Sequence, residues 1–322
     1  MCPQFDSASR HHFFEKERQL AGTSKRVQIS TIIILLFIFS TSVIFSGCND
    51  GSSQSTGKIF EDRELVIQGS DTLLEVSMYW VENFSKDNPS VNVSVTGGGS
   101  GTGIAALINK TVDLATASRS IKDSEIESAK NQGIDIKEFV VAWDGISVII
   151  NSNNPVTELS IEQISKIFTG EIANWNEVGG KDGEVLVISR DSSSGTFGYF
   201  EKRVVRLNGT VKENNYTQKA LYLASNVSIR EEVSINENAI GYIGLGYLNE
   251  SVKALDIIGE DTTESVRPSI ENIQNGSYPI SRQLFIYVSG SDLTDLGETF
   301  LEYVMGEEGQ AIAREIGFVP LN

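Results

Sequence analysis

The sequence predicts an α/β protein with largely parallel sheets, arranged as two lobes. Short apolar runs alternate with segments of helical periodicity along nearly the whole chain. Three strand-to-helix turns, Gly69-Ser70-Asp71-Thr72, Thr96 to Gly103 and Ser189 to Gly198, are crowded with hydroxyls and glycines. The length, 322 residues, suits two lobes with a core in each.

The elements follow in order. Leu65-Val66-Ile67 is a short strand, and Leu73, Val76, Trp80 and Phe84 repeat at helical spacing up to the stop at Asn88-Pro89. Val91, Val93 and Val95 alternate as a strand before the glycine-rich turn and a short helix, Ile104 to Asn109. Val112 to Ala115 reads as a strand and Asp123 to Gln132 as a helix closed by Gly133. Phe139 to Ala142 and Ile146 to Ile150 read as strands buried on both faces. Ser160-Ile161-Glu162-Gln163 is a capping-box signature opening a helix to Phe168, with Gly170 behind it. Val185 to Ile188 is a strand that enters the third turn, and Tyr199 to Leu207 has the composition of a helix. Ile240 to Gly244, a polar region to Gly276, a strand at Leu284 to Val288, and helices at Asp295 to Met305 and Glu308 to Ile316 complete the chain.

The N-terminal stretch differs. Lys25-Arg26 precedes the apolar run Ile32 to Phe45, followed by Ser46-Gly47-Cys48, which is the pattern of an export signal too short for a comfortable membrane span. Ser-Gly-Cys resembles a lipobox with Phe45 in place of the usual Leu, making Cys48 the expected lipidation point; an uncleaved signal anchor is the alternative. Either places the protein at the outer face of a cell membrane. Asn49 onward, rich in Ser and Gly, reads as a flexible tether. Eight Asn-X-Ser/Thr sequons lie beyond the signal, as in an exported protein of a glycosylating organism, although an Asn- and Ser-rich chain also produces them by chance.

Composition then removes whole function classes. Cys2 and Cys48, His11 and His12 are the only cysteines and histidines, and all precede the folded body. That body has no disulfide, no cysteine nucleophile and no histidine base or ligand, which disfavours Ser-His-Asp hydrolases and HExxH metalloproteases. From Cys48 onward 21 Lys and Arg face 40 Asp and Glu, an acidic balance that argues against a nucleic-acid partner. A small anion is still admissible, because screening over about 8 Å lets nearby donors outweigh distant carboxylates.

The three turns supply such donors. Helix N-termini carry unpaired N–H groups and a positive dipole, a ready receptor for a tetrahedral oxyanion. Neither a G-x-G-x-x-G nor a P-loop lysine is present, so a nucleotide is not expected. Arg119 and Arg190 each follow a strand beside hydroxyls and offer a planar fork of donors; for Arg119 a surface ion pair is an equal alternative. Asp71, Asp144 and Asp191 cap helices or pair with arginines, or one of them accepts the proton that monohydrogen phosphate carries and sulfate lacks.

These residues carry a resemblance. Gly69 to Leu73, Thr96 to Gly103, Asp144-Gly145, Ile167 to Trp175, Arg190 to Thr196, Ala239 to Tyr242, and Gly309 to Ile312 with Gly317 to Leu321 resemble the sequence blocks of the phosphate-binding proteins of phosphate ABC transporters. The resemblance runs from about Glu64 to Leu321 and implies a class II periplasmic-binding-protein fold, two α/β lobes joined by a hinge with the ligand between them. On that fold the chain divides into an N-terminal extension and signal (1–48), a tether (49–63), one lobe from 64–146 plus 283–322, and the other from 147–282.

Carried over by motif, the site comprises Thr72, Leu73 and Ser100 from one lobe and Arg190, Ser194, Gly195 and Thr196 from the other. Arg119 and Ser192 stand at ligand-contact positions where well-known members have aspartates, which leaves Asp71 first and Asp191 second as expected proton acceptors. The resemblance implies a phosphate receptor for an ABC permease: not an enzyme, without metal or cofactor, monomeric, and tethered through Cys48. A receptor for sulfate, molybdate or tungstate, or a phosphate sensor keeping the fold, is the alternative.

Overall fold

The computed structural model describes Phe60 and Glu64–Leu321. The expected signal, Cys48, and all of the tether except Phe60 lie outside the described residues.

The chain runs β1 (Glu64–Gly69), α1 (Asp71–Asp87), β2 (Asn92–Thr96), α2 (Ser100–Ile108), β3 (Leu114–Ala117), α3 (Asp123–Asn131) and the long β4 (Ile136–Asn151). It continues through β5 (Glu158–Ser160), α4 (Ile161–Thr169), β6 (Leu186–Arg190), α5 (Gly195–Phe200), β7 (Leu221–Leu223), α6 (Asn226–Ile235) and β8 (Ala239–Gly244). After β9 (Val252–Ala254), β10 (Asp256–Ile258), β11 (Ser265–Val266) and α7 (Ile270–Gln274), it returns through β12 (Ser281–Ser289) to α8 (Asp295–Met305) and α9 (Glu307–Glu315). The capping box at α4 is real: Ser160 Oγ accepts from Gln163 N at 3.1 Å, and Gln163 Oε1 accepts from Ser160 N at 2.9 Å. Gly170 ends that helix with φ +84°, a conformation that favours glycine.

The main sheet has the order β2-β1-β3-β12-β4-β8-β6-β7, with β9 also pairing β4. Its flanks are parallel, but β12 runs antiparallel to both β3 and β4, and β4 is antiparallel to β8 and β9, so the centre is not parallel as expected. The reason is connectivity. A strand that leaves one half of the sheet and another that returns to it lie side by side in opposite senses. The two expected strands around Val141 and Val148 are one continuous strand, because Trp143-Asp144-Gly145 stays extended and keeps its pairing with β12.

Along β4 the pairing partner changes. Up to Gly145 it is β12, whose first residue Ser281 faces Gly145; from Ile146 onward it is β8, beginning at Gly244. Each side of this switch is a sheet covered on both faces. In the first, Leu65, Ile67, Leu284 and Ile286 alternate with Val66, Phe285 and Tyr287 between two apolar clusters. In the second, Ile146, Val148 and Ile150 face one cluster and Ile149 the other. Trp80 anchors α1 against α9 by full burial and a bond from Nε1 to Gly309 O at 2.8 Å.

Candidate oxyanion site

The three hydroxyl-glycine turns converge at the carboxyl ends of β1, β2 and β6, where the two halves of the sheet meet. The first is held by Ser70 N, which donates to Thr116 O and Thr116 Oγ1, both at 2.9 Å. Gly69 permits this approach: its φ is +151°, and a Cβ there would lie 2.1 Å from Thr116 O. The glycine-rich turn is tied to it by Gly99 N donating to Gly69 O at 2.8 Å. Ser100 Oγ, at the start of α2, accepts from Ser118 N at 3.0 Å. In the third turn Ser194 Oγ accepts from Thr196 N and Phe197 N at 3.1 and 3.3 Å, leaving its own proton free to donate.

Across the junction Thr72 Oγ1 and Thr196 Oγ1 meet at 3.0 Å, and both accept from one nitrogen, Arg282 Nη2, at 3.2 and 2.9 Å. The same nitrogen donates to Asp144 Oδ2 at 2.8 Å, with Nε adding 3.2 Å, while Nη1 donates to Ser118 O at 2.8 Å. Asp144 is buried, and burial raises its pKa above the usual aspartate range despite Arg282 and the Leu245 N–H acting in the other direction. Arg282 was not among the sequence candidates. Its signal, a lone arginine beside Ser281 just ahead of a buried apolar run, is weaker than that of Arg190, which closes a strand and opens a hydroxyl-rich turn. The apolar run begins only at Leu284, so Ser281-Arg282 falls outside the expected strand.

Arg190 is 1 % exposed. Its Nη2 donates to Ala224 O at 2.7 Å and its Nη1 lies 3.5 Å from Asp71 Oδ2, yet Nε and Nη1 have no hydrogen-bond partner. Burial lowers the guanidinium's pKa, Arg282 adds to this, and Asp71 opposes it most. Its backbone N–H donates to Tyr242 Oη at 3.4 Å, and that oxygen also bonds Ser189 Oγ and Tyr216 Oη.

The other expected residues divide. Asp71 Oδ2 accepts from Asn226 N and Nδ2 at 3.0 and 2.8 Å, clasping the two halves. Asp191 accepts from the N–H and hydroxyl of Ser193, closing its own turn. Ser192 is exposed at the bend, and the neighbouring Ser193 is the residue that reaches the glycine-rich turn, where its carbonyl accepts from Gly101 N at 3.0 Å. Leu73 is buried with its N–H bonded to Ser70 O at 3.1 Å. Arg119 takes the ion-pair alternative, bonding both oxygens of Glu125 at 2.8 and 2.7 Å. Burial pushes the Glu125 carboxyl up, but Arg119 and the Lys122 N–H together hold it below its usual value. Arg119 therefore bonds outside the Thr72–Thr196–Arg282 cluster.

Gly195 marks how closely the halves approach: a Cβ there would stand 2.2 Å from Ser100 Oγ and 2.5 Å from Ser118 Oγ. Gly195→Ala is expected to leave each half folded but hold the turns apart, weakening anion affinity about tenfold, as overpacking of this size implies. Calorimetry checks the affinity, and small-angle scattering should show a larger radius of gyration.

A two-halved α/β fold with buried arginines, hydroxyls and helix N-termini at the junction defines a binding protein for a small oxyanion. The sequence model described as the PBP superfamily domain matches residues 49–308. The phosphate-binding protein PstS of Borreliella burgdorferi is 32% identical over 293 residues, 89% of this chain and 98% of that protein. PstS of Bacillus subtilis is 30% identical over 302 residues, 90% of this chain and 94% of that protein. Among solved structures, a phosphate ABC transporter substrate-binding protein of Clostridium perfringens with bound phosphate aligns with TM-score 0.72 and 32% identity, covering 80% of this chain and 100% of that one. The chain belongs to the PBP superfamily and, within it, to the family of phosphate-binding proteins of phosphate ABC transporters.

Proposed function

We propose that this protein captures inorganic phosphate outside the cytoplasm and delivers it to the permease of a phosphate ABC transporter. The observation that carries this reading is Arg190, buried with Nε and Nη1 unpartnered, at the start of the turn that presents Thr196 to Thr72 and Arg282. A buried cation with unmet donors is costly unless an anion completes it. Phosphate supplies acceptor oxygens for Arg190, for the hydroxyls of Thr72, Ser100, Ser194 and Thr196, and for the Gly195 N–H that opens α5.

Asp144 is our candidate for the proton-accepting carboxylate, in place of Asp71 and Asp191. Those two are engaged by Asn226 and Ser193, whereas Asp144 shares an arginine nitrogen with Thr72 and Thr196. Ionised, it accepts the proton of monohydrogen phosphate and repels sulfate, so that a site with two arginines still discriminates between dianions.

Residues 64–146 with 283–322, and 147–282, act in this reading as lobes that swing about the β4 and β12 crossings. Contacts across the junction, such as Asp71 with Asn226 and Gly101 with Ser193, exist only when the lobes are closed. Among the described residues no helix is long and apolar enough to cross a membrane. A monomer held by lipid on Cys48 through the 49–63 tether fits delivery to a permease in the same membrane.

Calorimetric titration of the chain from Asn49 onward, stripped of ligand, tests the function. Tight phosphate binding with sulfate ignored is expected; absence of phosphate binding would refute it.

A further inference from the structure

The segment that carries the anion turn is also bolted to the second crossing between the halves. Tyr199 lies in α5, three residues after Thr196, and its hydroxyl donates to Ser281 O at 2.5 Å. One turn later Arg203 Nε donates to Pro279 O at 3.1 Å, and its guanidinium is fixed by an ion pair to Glu260. Carbonyls 279 and 281 therefore face the α5 segment, while Ile280 O between them accepts from Ile146 N at 2.8 Å on the other side. The next residue is Arg282, whose Cζ lies 5.8 Å from the centroid of the Tyr199 ring. That is within cation–π range and sets the ring against the guanidinium that meets Thr72, Thr196 and Asp144.

We propose that Tyr199 is a positioning residue for the anion site, holding the crossing backbone with its hydroxyl and the Arg282 guanidinium with its ring. The donor turn and Arg282 then move as one body when the halves close. Tyr199 need not touch the anion: it acts through Arg282. This inference rests on the phosphate-binding reading above.

The test uses the full chain and compares wild type with Tyr199→Phe, which keeps the ring, and Tyr199→Leu, which loses ring and hydroxyl. Release of radiolabelled phosphate is expected to quicken about tenfold in Tyr199→Leu and about threefold in Tyr199→Phe, with association within about twofold of wild type. In the ligand-free proteins, amide hydrogen exchange at residues 281–283 should quicken in the same order. A purely structural role would instead lower stability and slow association along with faster release, and that pattern overturns the proposal. Release from Tyr199→Leu at the wild-type rate overturns it too. If wild type itself fails to bind phosphate, the functional reading falls, and exchange at residues 281–283 still decides whether Tyr199 fixes the crossing: unchanged exchange overturns the clamp.

Discussion

Arg190→Ala is expected to lower phosphate affinity by about a thousandfold while leaving the ligand-free protein at least as stable as wild type. The two halves of this expectation have one cause. Arg190 is buried with two donor nitrogens unpartnered, so without an anion it is a desolvated cation whose only bonds are to Ala224 O and, at longer range, Asp71. Its removal therefore takes little from the unliganded fold, and Asp71 keeps both bonds from Asn226. In the proposed phosphate complex the same guanidinium makes charge-assisted bonds in a water-excluded site, and truncating one partner of such a set costs about 2–5 kcal/mol. Thermal melts with and without phosphate, beside calorimetry, read both halves. A variant that binds phosphate within tenfold of wild type would remove Arg190 from the site.

Asp144→Asn is expected to collapse the preference for phosphate over sulfate by about a hundredfold, mainly by admitting sulfate. The change keeps an acceptor for Arg282 but deletes the charge that repels a dianion without a proton. Because sulfate does not titrate above pH 3, its binding isolates the carboxyl from the ionisation of phosphate itself. Burial raises the Asp144 pKa, so wild-type sulfate affinity should climb as pH falls through that raised value, and the variant should show no such slope. The linkage runs the same way for folding. A carboxyl with a raised folded-state pKa contributes stability that is present below its unfolded value and lost as pH rises through the folded one, opposite to the Arg119-paired Glu125. Equal sulfate binding by wild type and variant across pH 4–8 would sink this role.

What was legible in the sequence was local. The capping box at Ser160 and the turn chemistry of Gly69 to Thr72 and Ser194 to Thr196 are written in short-range residue patterns, and the structure places them as read. Pairings between distant segments were not legible. Asp144 and Arg282 lie 138 positions apart, and only the antiparallel register of β4 with β12 brings them opposite one another. The same limit explains the misplaced parallel centre, since strand sense depends on the route between strands and not on their composition. Arg119 and Arg190 look alike in sequence, and what separates them is Glu125, in the first turn of α3, which bonds two donor nitrogens of the first, whereas the carboxylate beside the second, Asp71, stays 3.5 Å away and is bonded by Asn226.

The position of β12 also sets the order in which the molecule can mature. The half that begins at Ile146 draws all of its strands, and its core apart from Val319, from an unbroken stretch of chain up to Ile280, so those strands can assemble while the rest is still being made or translocated. The other half cannot. Its third strand, paired with β1 on one side, gains its second neighbour only when Phe285 arrives opposite Ala117, and its core is incomplete until Phe300 and Leu301 pack on Trp80 and Phe84. Until then β3 presents an open edge and a cluster of aromatic surface, the circumstances in which nascent chains mispair or aggregate. Closing so long a loop is slow more than it is costly. The first strands made are the last to be secured, and a protease or a holding chaperone would find its opportunity in that interval.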